Sequence, residues 1–176
     1  HLSIRRQRQM CIRDSARAIG SGSIVSNGGG LSMDSSIELP SLNVNGNLVL
    51  HSGIYTTGSQ TYNGNLELAA NGNTRLDATN SNITFNGTIS GGINSKGTQR
   101  SLLINAGRGT VVFNDRVGSD RGLYANFNNN DVNLYTLRVT AGRIEIKADI
   151  LTFENQIYNG PVSVSYTHLR AHETLM

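Results

Sequence analysis

One short phrase recurs along the chain and limits what it can fold into. An apolar or aromatic residue is followed by Asn-Gly and then by alternating apolar residues. It reads Val44-Asn45-Gly46, Tyr62-Asn63-Gly64, Phe85-Asn86-Gly87, Phe113-Asn114-Asp115 and Tyr158-Asn159-Gly160, with a weaker instance at Tyr135-Thr136-Leu137. Successive intervals from Val44 are 18, 23, 28, 22 and 23 residues. Self-similarity near 23 residues is a period of stacked repeats. The flanking pattern is that of strands: Ile144, Ile146, Ala148 and Ile150 alternate with Glu145, Lys147 and Asp149. A period of two puts the first set on one face and the charges on the other. No stretch keeps helical spacing over three turns, so essentially no helix is expected.

Two all-β architectures fit short strands broken by Asn, Gly, Asp and Ser. Asn-Gly favours positive φ and is also a hairpin signal, which would give an antiparallel sandwich or barrel. Only two or three residues of strand character precede most of these pairs, however, and a hairpin needs two matched strands. The sequence therefore predicts a parallel β-helix of about five to six coils, each laid on the last about 4.8 Å along the axis, a rod roughly 25 Å long. One coil cannot bury its own apolar face, so most stabilisation arises between neighbours. Uncapped parallel edges would template pairing with other chains, so fraying or aggregation is expected.

The chain ends read differently. Met10 to Asp14 can be written ATG TGT ATA AGA GAC; the reverse complement encodes Val-Ser-Tyr-Thr-His, which is Val164 to His168. Residues 1–15 and 164–176 thus resemble translated sequencing-library adaptors and are set aside from fold reasoning, although Val164 also fits the repeat phrase. Residues 16–40 read as a flexible stretch or partial first coil, and 41–163 as the repeat region. Arg5, Arg6, Arg8 and Arg13 against Asp14 carry the whole formal net charge of +3. The body is then close to neutral, which removes the basic excess that would suggest nucleic acid. The one cysteine, Cys11, lies in the excluded tail. A cysteine-free body suits an exported protein. No apolar run approaches the length of a membrane-spanning helix.

Few residues are candidates for chemistry. His51, the one histidine of the body, reads as a strand-end residue; a nucleophilic site would need it beside Ser or Cys. Paired carboxylates for glycoside hydrolysis would have to come from Asp115 with Asp120, or Asp149 with Glu154; single charges at solvated corners are preferred. Asn126 to Asn133 is rich in oxygen ligands, yet Asp131 is its only carboxylate, so it reads as a polar loop and not a calcium site. Gly118 to Gly122 is a turn without the helix a phosphate-binding loop needs. Asn82-Ile83-Thr84 and Asn86-Gly87-Thr88 match the glycosylation acceptor pattern, which arises readily in such composition. No catalytic, cofactor-binding or metal-ligating residue is assigned, and no enzymatic activity or cofactor is expected.

The phrases "TTGSQTYNG", "SNITFNGTIS" and "INAGRGTVVFND" resemble repeats of large exported bacterial adhesins of the filamentous haemagglutinin type, secreted by the two-partner route; autotransporter passengers are a close second. The likeness covers about 43–163 and rests on repeat style. It implies a right-handed β-helix, an outer-membrane secretion partner, a place at the bacterial surface or outside the cell, and attachment to receptors or glycans of host cells or other bacteria. The expected role is a non-catalytic stalk segment. The alternatives are a β-helical carbohydrate-active enzyme or phage tail-spike piece, and a β-sandwich binding module.

Overall fold

The computed structural model describes residues 24–26, 31–33, 37–91, 100–118 and 134–165. Among these the chain is all strand and turn. A first turn holds β1 (Ile24–Ser26), β2 (Leu31–Met33) and β3 (Ile37–Leu39). A second holds β4 (Leu42–Val44), β5 (Leu48–Leu50) and β6 (Ile54–Thr56). A third holds β7 (Gln60–Tyr62), β8 (Leu66–Leu68) and β9 (Gly72–Ala78), and a fourth β10 (Ile83–Phe85), β11 (Ile89–Ser90) and β12 (Arg100–Asn105). In the next two turns a single bridging residue, Val117 and then Ile150, replaces the second strand. Their other strands are β13 (Thr110–Phe113) with β14 (Leu137–Thr140), and β15 (Arg143–Ile146) with β16 (Gln156–Asn159), after which β17 (Val162–Val164) starts again.

Every strand pairing is parallel and joins an element to its counterpart one turn away. Three sheets result: β1-β4-β7-β10-β13-β15-β17 (sheet 1), β2-β5-β8-β11 (sheet 2) and β3-β6-β9-β12-β14-β16 (sheet 3). The chain visits them in rotation, which is the path of a parallel β-solenoid. No antiparallel pair surrounds the Asn-Gly phrases, so the hairpin-based sandwich is ruled out.

The core follows from period-two alternation on all three sheets. Leu42, Gln60, Ile83, Val111 and Ile144 form one inward column of sheet 1, and Val44, Tyr62, Phe85, Phe113 and Ile146 the other. Leu48, Leu66, Ile89, Val117 and Ile150 continue through sheet 2. Ile54, Leu76, Ile104 and Val139 line sheet 3. Apart from Gln60, these side chains belong to one buried apolar cluster. Burial contributes about 1.5–3 kcal/mol for each large aliphatic or aromatic side chain.

The turns differ in length, and this corrects the regular period read from the sequence. Equivalent corner asparagines are 18, 23 and 28 residues apart (Asn45, Asn63, Asn86, Asn114). Phe113 then pairs with Ile146, not with Tyr135, and Ile146 with Val164. Tyr158 pairs with Val139 in sheet 3. Tyr135 and Tyr158 therefore do not belong to the Val44–Phe113 column. The longest turns take their extra residues at one corner, between sheet 2 and sheet 3: Gly91 to Arg100 in the fourth turn and Gly118 to Leu134 in the fifth. The candidates Asp120, Asp131 and Asn126 to Asn133, and most of the two tails, lie outside the described residues. The solenoid runs through β17 and therefore includes Val164, with Ser165 N–H donating to Ile146 C=O at 2.9 Å.

Candidate functional site

The corner between sheets 1 and 2 explains the recurring phrase. Asn63 Nδ2 donates to Asn45 Oδ1 at 2.7 Å and to Asn43 Oδ1 at 3.0 Å. Asn86 Nδ2 donates to Asn63 Oδ1 at 2.7 Å, and Asn114 Nδ2 to Asn86 Oδ1 at 2.6 Å. An amide carries both donor and acceptor, so each asparagine can bond the one below and the one above. Serine or aspartate could not repeat that pattern with the same reach. Two positions on, Asn47 Oδ1 accepts Asn65 N–H at 3.0 Å and Asn65 Oδ1 accepts Thr88 N–H at 3.1 Å.

At Gly64 and Gly87 the glycine of the phrase is there for space, not for positive φ. A Cβ on Gly64 would lie 2.4 Å from the carbonyl of Gly46, and one on Gly87 2.5 Å from the oxygen of Gly64. Positive φ falls at Gly72, Gly107, Gly118 and Asn80, and within the phrase at Gly160. Replacing Asn86 with alanine deletes the bonds to Asn63 and Asn114. At about 0.5–1.5 kcal/mol each, the expected loss is about 1–3 kcal/mol, read as a lower urea midpoint. Asn86→Asp should also destabilise, because the carboxylate cannot donate to Asn63.

Beneath the corner runs an aromatic stack. Tyr62 and Phe85 have ring centroids 5.0 Å apart and Phe85 and Phe113 5.3 Å, both with planes 6° from parallel. Tyr62 is fully buried, and its hydroxyl donates to Gln60 Oε1 at 2.7 Å. Gln60 Nε2 in turn donates to Asp77 C=O at 2.7 Å and Thr56 Oγ1 at 3.2 Å. The same clamp recurs at Tyr158, whose hydroxyl donates to Gln156 Oε1 at 2.9 Å while Gln156 Nε2 donates to Ile150 C=O at 3.0 Å. One local sequence, Gln-x-Tyr-Asn-Gly, thus performs one local task in two different sheets.

Burial pushes the Tyr62 phenol far above its ordinary value of 10.0 and that of Tyr158 up to about 12. A native state that withholds protons from solvent at alkaline pH binds more of them than the unfolded chain. Stability from these phenols is therefore complete below pH 10 and is lost as pH rises above it, by about 1.4 kcal/mol per pH unit for each withheld proton. Phenolate absorbance should show Tyr62 ionising only together with unfolding, and Tyr62→Phe should flatten the alkaline limb of stability.

Among the described candidates, His51 stands apart, and Asp149 and Glu154 are not brought together. His51 is exposed at the corner after β5. Asp115 and Asp149 lie at the corner between sheets 1 and 2, where Asp149 C=O accepts Val117 N–H at 2.9 Å. Glu154 lies at the opposite end of the sheet 2 segment, with its N–H donating to Tyr135 C=O at 2.8 Å. Asp149 and Glu154 thus occupy different corners. Among the described residues no group of three or more His, Cys, Asp or Glu is placed to hold a metal ion. Both glycosylation triplets sit in corner ladders: Asn82 Oδ1 accepts Thr110 N–H at 2.8 Å, and the Asn86 amide nitrogen, the atom a glycan would take, donates to Asn63. No helix among the described residues is long and apolar enough to cross a membrane.

Two features escape sequence reading. On the outer face of sheet 3, Arg75 grips Asp77 through Nε to Oδ2 and through Nη2 to Oδ1, the latter at 3.1 Å. That hydrogen bond and charge raise the Arg75 pKa. Tyr55 stands beside the pair, as the register partner of Asp77. The second is a separate ring pair, Tyr135 and Phe153, 5.8 Å apart. Arg75 and Asp77 share β9, but Tyr55 beside them comes from the turn below, and Tyr135 and Phe153 come from different turns that only the register brings together. Comparison of the chain with protein-family models, characterised proteins and solved structures returns no match.

Proposed function

We propose that this chain is a non-catalytic stalk segment of a large secreted bacterial surface adhesin, wound as a right-handed parallel β-helix. It acts by extension, holding binding surfaces away from the cell for receptors or glycans of host cells or other bacteria. The carrying observation is the asparagine ladder from Asn45 to Asn114 over a stacked, mostly apolar core, which builds axial length. The right-handed sense follows the strong bias of parallel crossovers. Export through an outer-membrane partner belongs to the same reading and rests on the repeat resemblance.

The second reading, a β-helical carbohydrate-active enzyme, wants carboxylates converging in one lateral groove. Glu145 instead faces Arg143 at 3.0 Å and Lys147 at 3.9 Å, Asp77 is held by Arg75, and Asp149 and Glu154 are on separate corners. The test incubates the chain with bacterial and host polysaccharides and measures new reducing ends, beside adhesion of chain-coated beads to cultured cells and bacteria. Adhesion above that of uncoated beads without glycan cleavage is expected. Cleavage abolished by Asp115→Asn or Glu154→Gln would replace the stalk reading with the enzyme.

A further inference from the structure

Tyr55 holds a large ring out on the side of the rod, 38% exposed, with Glu38 one turn below it and Asp77 one turn above. Its exposure is therefore a property of the outer face of sheet 3 and not of an end. The ring leans back along β6 over Gly53. A Cβ on Gly53 would lie 3.3 Å from Tyr55 Cε2 and 3.4 Å from its hydroxyl oxygen. Glycine at this position leaves the ring room to lie along the sheet. The same Cβ would stand 2.8 Å from the Arg75 carbonyl oxygen, so the ring and Arg75 are neighbours.

Arg75 and Asp77 are fixed from several directions. Arg75 Nε and Nη2 hold the two carboxylate oxygens of Asp77. From inside the rod, Gln60 Nε2 donates to the Asp77 carbonyl at 2.7 Å, and Gln60 is itself gripped by the buried Tyr62 hydroxyl. Their strand, β9, is paired with β6 below and β12 above. A site held this way loses little freedom when a ligand arrives. Arg75 Nη1 makes no hydrogen bond among the described residues, and the Arg75 side chain stays 54% exposed. A carboxylate oxygen has two lone pairs, so each Asp77 oxygen can accept a second donor. Donor and acceptor thus stand side by side next to an aromatic face.

We infer that this platform binds an uncharged sugar ring of a glycan, with Tyr55 under the C–H face of the sugar and the Arg75–Asp77 pair on two neighbouring hydroxyls. Each hydroxyl both donates and accepts, so adjacent hydroxyls fit a donor beside an acceptor. The tyrosine ring supplies an apolar face with a polar tip. The charges select against other occupants. An anionic ligand would meet two carboxylates, Glu38 and Asp77, against one guanidinium. A cation would meet Arg75 beside the very ring that should hold it. The next cation on the Arg75 column, Arg138, is two turns above, about 10 Å away. One turn above Asp77 and Arg75, Asn105 and Leu103 extend the platform with an amide and an apolar side chain. The inference rests on the stalk reading for its setting outside the cell, and it names the ligand class which that reading leaves open.

The test is native electrophoresis of the full chain through gels containing dextran, mannan, xyloglucan or galactomannan, with heparin as the anionic counterpart. At least one neutral polysaccharide is expected to retard the parent, in low and in high salt alike. Tyr55→Ala and Arg75→Met should each weaken that binding at least tenfold, Tyr55→Phe should weaken it less, and Arg143→Gln, on the outer face of sheet 1, should leave it unchanged. Tyr55 and Arg75 lie outside the buried core cluster, so the circular dichroism of these variants should match the parent. Adhesion of chain-coated beads is measured with the same variants. Retardation through Tyr55 without adhesion would overturn the stalk reading and leave the platform standing. No retardation in any neutral gel, retardation by heparin alone that salt abolishes, or retardation unchanged in both Tyr55→Ala and Arg75→Met would overturn the platform, and adhesion persisting in Tyr55→Ala would then leave the stalk reading standing.

Discussion

Replacing Phe85 with alanine lowers the stability of the solenoid by about 3–5 kcal/mol, the loss for a large aromatic removed from a packed core. Phe85 is the middle ring of three, stacked on Tyr62 below and Phe113 above. Its neighbours are held by strands paired on both sides, so the site cannot collapse around the hole. For a chain of this length the melting temperature should fall by roughly 10 °C or more. Phe153→Ala, which removes a ring more than half exposed, should change it by no more than about 1 kcal/mol. Thermal melts of the two variants side by side check both values. Equal effects would show that Phe85 is not in a buried column.

The second large effect comes from one added methyl group. In Gly64→Ala the new Cβ meets backbone, 2.4 Å from the Gly46 carbonyl carbon and oxygen. Backbone tied into a ladder cannot swing aside as a side chain can. The turns must separate at this corner, which also stretches the Asn63–Asn45 bond of 2.7 Å. The expected loss is about 3 kcal/mol or more, at or beyond the upper end of ordinary overpacking. Gly72 provides the contrast: its φ is +90° but nothing lies within 4 Å of a Cβ there. Gly72→Ala should lose only the backbone strain, about 1–2 kcal/mol. Denaturant titrations of the two variants separate a spatial requirement from a conformational one.

What could be read from sequence was what repeats locally. The column Val44, Tyr62, Phe85, Phe113 and the asparagines beside it are visible because each turn uses the same residue types at the same point. The assignment of Tyr135 and Tyr158 to that column failed for a physical reason. The Gln-x-Tyr-Asn-Gly phrase encodes a hydrogen-bonded clamp between a tyrosine and the glutamine two residues before it. That clamp serves sheet 1 at Tyr62 and sheet 3 at Tyr158. A period search cannot distinguish the two uses. Extra length between Gly118 and Leu134 then displaced the count, and Ile146, an aliphatic residue, took the place where an aromatic was sought. Asn-Gly suggests positive φ, which the structure shows at Gly160, while at Gly64 and Gly87 it uses the pair for close stacking. The placing of Tyr55 beside Asp77 and the stack of Tyr135 on Phe153 were not legible, because both depend on which turn lies on which.

The stacking itself is most directly measured by distances between spin labels on the outward column of sheet 1, with Cys11 replaced by serine. Asn43, Thr61, Thr84, Val112, Glu145 and Ser163 follow one another in register. Labels at positions 61 and 163 should lie about 19 Å apart, four strand spacings, and labels at 43 and 163 about 24 Å, one spacing more. Moving a label by 18 residues of sequence should thus change the distance by only about 5 Å. A change several times larger, or a distance that shortens on moving to position 43, would contradict parallel turns stacked in register.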